Sequence, residues 1–148
     1  MLTPQIIKQY LAKGYTMQLS TSVDNQPWSC SVYYVFDDKL NLYWASLPSR
    51  RHSQEIEINS KVSAAIVIKQ SQKVIGVQVQ GKAKMLEDKN MLLKSATLYS
   101  DKFDRSSQWV EDIANNRTAH RLYVLVPELY VVFDETKALA NPRSEYRL

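Results

Sequence analysis

The chain has 148 residues, 45% of them hydrophobic, with 19 basic and 15 acidic side chains for a net charge of +4. That length and composition predict one domain over residues 1–148 with a real core, and exclude a disordered polymer. The single cysteine, Cys30, excludes an internal disulfide framework, and no apolar run is long enough to span a membrane.

Thr3-Pro4 opens a first helix, with Thr as N-cap and Pro at the first helical position. Ile6, Ile7, Tyr10 and Leu11 give it one apolar face, and Gly14 is its expected stop. Tyr15, Met17, Leu19 and Thr21 then alternate with polar residues as a strand. Asp24-Asn25-Gln26-Pro27 is a turn, and Trp28–Phe36 the next strand. Asp37-Asp38-Lys39 reverses the chain into a third strand, Leu40–Ala45; turn chemistry explains these two aspartates without a catalytic carboxylate pair.

Ser46-Leu-Pro-Ser-Arg-Arg-His52 follows, and opens a short helix through Asn59. Ser49 is the expected N-cap. Arg50, Arg51 and His52 then fall in the first turn, where the helix dipole disfavours cations. A bound anion resolves the conflict: free N–H groups, two guanidinium forks and the hydroxyls of Ser46 and Ser49 suit a phosphate. A solvated basic turn with unpaired arginines is the alternative.

Lys61–Lys69 is a fourth strand, and the fifth has the cleanest alternation in the chain, Val77, Val79, Gly81, Ala83 and Met85 against Gln78, Gln80, Lys82 and Lys84. Asp88 caps a helix through Tyr99, and a second helical segment covers Ser106–Asn115. Two strands, Arg121–Val126 and Leu129–Phe133, are expected on either side of Pro127-Glu128, and the tail from about 138 to 148 is expected to be irregular. About seven short-linked antiparallel strands with peripheral helices predict a mostly β, Greek-key barrel.

No glycine-rich nucleotide loop is present, which argues against a Rossmann or P-loop site. Cys30 inside a strand reads as an inert thiol, and the lone Cys with two distant His residues gives no metal-ligand spacing. The charges are scattered, so nucleic acid is not an expected partner. With no basic-then-apolar leader, a cytoplasmic location is expected.

Taken in order, Gln26-Pro-Trp-Ser-Cys-Ser-Val-Tyr-Tyr-Val-Phe-Asp37, Leu42-Tyr-Trp-Ala-Ser-Leu-Pro-Ser-Arg-Arg-His-Ser53, Asn59-Ser-Lys-Val-Ser-Ala-Ala65 and Gly76-Val-Gln-Val-Gln-Gly-Lys-Ala83 resemble the pyridoxamine 5′-phosphate oxidase-like, FMN-binding split β-barrels, in particular the small single-domain bacterial members. The resemblance implies a homodimer with FMN at the interface. It implies that Ser46, Arg51 and His52, with Arg50 beside them, hold the flavin phosphate. The ring is then expected along Trp28, Ser29, Cys30 and Ser31, with Ala45 beside it and Gln78 as a ring or ribitol contact.

The vitamin-oxidising members carry lysine near His52 and glutamine at Gly76, and their C-terminal Arg/His segment has no counterpart here. The expected function is therefore a flavin-dependent oxidoreductase acting on a small substrate, with no catalytic acid or base identified. The alternative is a non-catalytic flavin, deazaflavin or haem carrier on the same barrel.

Overall fold

The computed structural model describes residues 1–138 and 140–148. Helix α1, Pro4–Leu11, starts where the sequence predicts, with Thr3 Oγ1 accepting from the Ile6 N–H. It ends at Ala12, before Gly14. Gly14 is needed for close packing instead, because a Cβ there would lie 2.4 Å from the Tyr34 hydroxyl and 2.8 Å from Ile66.

Strands β1, Thr16–Val23, and β2, Gln26–Tyr33, form a hairpin. Its turn is only Asp24-Asn25, both left-handed (φ 51° and 60°), the conformation whose twist matches the strands it joins. The expected strand to Phe36 breaks at Tyr34, leaving a short β3, Val35–Phe36. Tyr34 is fully buried and donates to the Leu11 carbonyl at 2.5 Å, which pulls the chain inward at that point.

The Asp37 carboxylate accepts from the Lys39 and Asn41 N–H groups, the Asn41 amide and the Tyr43 hydroxyl, organising the turn into β4, Leu42–Ser46. Asp37 is thus a turn residue, as expected. Leu40, expected at the start of the strand, instead sits in the turn with φ 67°.

Helix α2, Arg51–Ile58, is followed by β5, Lys61–Lys69, and β6, Ile75–Met85. The alternation of β6 is realised: Val77, Val79 and Ala83 are buried, while Gln78, Gln80, Lys82 and Lys84 are exposed. Helix α3, Lys89–Phe103, is capped by Asp88 and α4, Ser107–Ala114, by Ser106.

Two expectations about the C-terminal third change. Arg121–Asp134 is one strand, β7, rather than two, because Pro127 falls at a bulge opposite Gly81, a position where a strand tolerates proline. The tail is not irregular: β8, Arg143–Arg147, pairs antiparallel with β7 from Leu129 to Phe133.

The main sheet runs β2-β1-β5-β6-β7-β4-β3, all antiparallel. It curls around a core that includes Met17, Leu19, Trp44, Ile66, Val79 and Tyr130. Helices α3 and α4 cover the other face of β4 and the first half of β7 through Leu92, Ala96, Tyr99 and Ile113. The path does not close: β2 is an edge, and it approaches β4 across the opening. The candidate site lies at this split.

Candidate functional site

Ser46 ends β4, and Leu47-Pro48-Ser49 carries the chain into α2. The N-cap is Arg50, not Ser49, and no side chain caps the helix. The Arg50 N–H turns back to the Leu47 carbonyl at 3.1 Å, tightening the approach. The first-turn N–H groups are therefore left without a capping acceptor, directly beside Arg50, Arg51 and His52.

A cleft of about 380 Å³ opens here. Ser31 and Tyr33 of β2, Ala45 and Ser46 of β4, and Arg50 and His52 line one part; Tyr99 of α3 and His120 complete it. No carboxylate is among its lining residues. As an edge strand, β2 also offers backbone groups along one side that no neighbouring strand uses.

His52 is buried, and its Nε2 lies 2.7 Å from Ser46 Oγ. Burial, reinforced by the Arg50 charge and opposed by Glu55, holds the imidazole below the usual histidine range. His52 is thus a neutral, oriented hydrogen-bonding group at pH 7, and Arg50 supplies the charge on the cleft wall.

The cleft brings together Ser31, Ala45, Ser46, Arg50 and His52 of the residues singled out from sequence. Arg51 goes elsewhere: its Nε donates to Glu55 at 2.8 Å, and its guanidinium lies 4.2 Å from the Trp28 ring centroid. The Trp28–Ser31 run divides between two faces, as strand geometry requires. Ser29 faces Ser20, with the hydroxyls 3.0 Å apart, and Ser31 accepts from Gln18 at 3.2 Å. Cys30 packs on the core, where burial pushes its thiol up to about 11, consistent with an inert thiol.

Gln78 lies apart, in a second cleft on the outer face with Ser20, Ser63, Gln80 and Arg143. Within one protomer it does not meet the Ser46–His52 turn. Sequence reasoning missed Tyr33, Tyr99 and His120 as cleft residues. Tyr33 carried a signal, an aromatic at an outward position of a strand, whereas His120 carried none.

Among the described residues no group of three or more His, Cys, Asp and Glu could hold a metal ion. No described helix is long and apolar enough to cross a membrane.

An open antiparallel half-barrel with a cleft at its split defines a split β-barrel. The chain belongs to the pyridoxamine 5′-phosphate oxidase family, whose sequence model matches residues 3–130. It is 30% identical over 83 residues to UPF0306 protein PM1958 of Pasteurella multocida, a match covering 54% of this chain. The chain spans just over half, 56%, of that relative's length.

Among solved structures it resembles an FAD-binding protein from Mesorhizobium loti (TM-score 0.66, 19% identity, 87% of this chain and 92% of that one). It also resembles the heme storage protein HutZ from Vibrio cholerae (TM-score 0.68, 17% identity, 86% of this chain and 92% of that one). At such identities the likeness is one of fold.

Proposed function

We propose that this protein binds FMN at the split of its barrel and acts as a flavin-dependent oxidoreductase on a small substrate. The observation that carries this reading is the cleft itself: an uncapped helix start, Arg50, and the Ser46–His52 pair converge with no carboxylate in the wall. Such a site suits a phosphate more than any other common ligand group. The edge of β2, next to the cleft, suits a planar ring that bonds to backbone groups. A bound flavin would supply the redox chemistry, and the chain would bind, orient and shield it.

The partner in this reading is a second copy of the chain. The outer face that carries Ser20, Ser63, Ala65, Gln78 and Gln80 is polar, with Arg143 beside them, and Gln78 could reach a cofactor only from another protomer. Gel filtration with light scattering is the check; a monomer under conditions that retain FMN would remove Gln78 from the site.

The second reading, a haem carrier on the same barrel, is supported by the fold likeness to HutZ. Haem iron needs an axial ligand. His52 Nε2 is engaged by Ser46, which leaves His120 on the cleft wall as the candidate.

One experiment tests both. The purified protein is incubated with FMN or with haem, passed through gel filtration and scanned. Flavin absorbance that is retained, and lost in Arg50→Ala, is the expected result. Retention of a Soret band alone, abolished by His120→Ala, would replace the flavin reading with the carrier reading.

A further inference from the structure

A groove of about 730 Å³ runs between the β3–β4 turn and helix α3. It shares no lining residue with the cleft at the split, and its volume is that of a small-molecule site. Its floor is apolar: Phe36 and Tyr43 supply rings from the sheet side, and Met91, Leu93 and Leu98 supply side chains from α3. These three remain 37%, 49% and 37% exposed, although the same helix buries Leu92, Ala96 and Tyr99. A single exposed apolar residue needs no explanation, but three on one helix beside two rings form a patch.

The polar side chains of the lining are already committed within the protein, with two exceptions. The Asp37 carboxylate accepts from four donors, the Tyr43 hydroxyl among them. Asp38 is paired with Lys8 Nζ at 2.8 Å. Ser95 and Thr97 donate back to the Met91 and Leu93 carbonyls, at 2.6 and 2.8 Å. The exceptions are Lys39 and Lys94, which form no ion pair among the described residues. Lys39 lies in the turn itself. Lys8 first, and Lys94 more weakly, hold the Asp38 carboxyl below its usual range, which places the Lys94 charge beside the same turn.

We infer that this groove binds an amphipathic carboxylate of the fatty-acid class, with its chain along Phe36, Met91 and Leu98 and its carboxylate at Lys39 and Lys94. Charge decides the head group, since two unpaired ammonium groups suit an anion. The floor decides the body, since the sugar of a nucleotide would set polar groups against side chains that offer them no bond. Length fits as well: from Met91 to Leu98 the helix rises about 10 Å, the extended length of an acyl chain of about nine carbons. The inference does not depend on the flavin reading.

The test titrates isotope-labelled protein with decanoate, decanol and decyltrimethylammonium below micelle formation, followed by backbone amide shifts. Decanoate is expected to saturate, with shifts confined to residues 36–43 and 91–98. Decanol should bind about tenfold more weakly, the scale of one charge-assisted hydrogen bond, and the cationic amphiphile more weakly still. K94E should weaken decanoate about tenfold and leave decanol unchanged, whereas L98Q should weaken both. Thermal melts check that each variant folds, and K94Q replaces K94E if charge reversal unsettles the helix.

Equal affinity for the three amphiphiles, an unchanged decanoate affinity in the Lys94 variant, or shifts outside the groove would overturn the inference. Shifts of the same residues with protein concentration alone would mean that a second copy of the chain covers the groove, and would overturn it too.

Discussion

Ser46 at the end of β4 and His52 in the first turn of α2 are joined side chain to side chain, Oγ to Nε2, at 2.7 Å. This bond closes the loop that carries Arg50 and leads into the uncapped start of α2. It also explains how a histidine can be buried beside an arginine: the ring stays neutral. Because burial holds its folded value below the ordinary histidine value of 6.5, the unfolded chain binds a proton there before the folded one does. Stability contributed by neutral His52 is therefore present above that ordinary value and lost as pH falls through the lower folded value. Thermal melts between pH 7.5 and 5 should show a falling Tm in the wild type and a shallower fall in His52→Gln. Parallel slopes would mean that His52 titrates normally and is not the neutral partner described.

Gly81 and Gly76 lie on the same strand and should respond oppositely to alanine. A Cβ at Gly81 would meet the Val126 carbonyl oxygen at 2.1 Å, a backbone atom held in the bulge that accommodates Pro127. At Gly76 the nearest atom is the Ile66 carbonyl oxygen at 3.5 Å, an ordinary contact. Gly81→Ala is expected to cost at least about 2 kcal/mol by forcing the β6–β7 pairing apart. Gly76→Ala should be neutral or stabilise by up to about 0.5 kcal/mol, since alanine loses less backbone freedom in a strand. Urea unfolding of the two variants decides it, and a Gly81→Ala protein as stable as the wild type would contradict the bulge geometry.

What the chain disclosed in advance was local. Thr3-Pro4, Asp88 and the β6 alternation are short-range signals, and each produced the expected element. The basic turn at residues 50–52 was legible for the same reason, since helix dipole and charge can be weighed over a few residues. The division of labour inside it was not. Which of Arg50 and Arg51 faces the cleft depends on the rotation of α2, set by Thr21 and Trp28 on the hairpin it packs against. Strand β8 was hidden because its one apolar residue, Tyr146, gives no alternation to read, and its pairing with β7 is non-local. Tyr33, Tyr99 and His120 meet only once β2, α3 and the segment before β7 are folded together.

Lys102, near the end of α3, should be unusually reactive. It is half-buried, donates to the carbonyls of Gly14 at 2.6 Å and Tyr34 at 3.0 Å, and sits 4.2 Å from the Tyr34 ring centroid. Burial brings its ammonium down to about 8. The sign follows: the folded state releases this proton earlier than the unfolded one, so its contribution to stability rises with pH from about 8 to the ordinary lysine value of 10.5. Trace acetylation followed by mass spectrometry across pH 6 to 11 should give a labelling midpoint near 8 at Lys102. A midpoint near 10.5 would show that the two carbonyls and the aromatic rings hold the charge against desolvation.

Tyr123 and Tyr130 are both fully buried on β7, yet their hydroxyls are in opposite situations. Tyr130 Oη donates to the Leu40 carbonyl at 2.7 Å and steadies the end of the turn, where Leu40 itself is left-handed. Tyr123 stacks on Trp44 with ring centroids 5.7 Å apart, but its Oη has no hydrogen-bond partner. Ser53 Oγ, the neighbouring hydroxyl, is likewise without a hydrogen bond of good geometry. Removing the hydroxyl from Tyr130 leaves a buried carbonyl unsatisfied, whereas removing it from Tyr123 relieves a buried group that already lacks a bond. Tyr130→Phe should therefore destabilise by about 1–2 kcal/mol, and Tyr123→Phe should be neutral or stabilise by up to about 1 kcal/mol. Denaturant melts of the two variants provide the check, because burial, ring and strand are shared and only the hydrogen bond differs. A loss at Tyr123 as large as at Tyr130 would mean that Tyr123 and Ser53 close their gap and bond in solution.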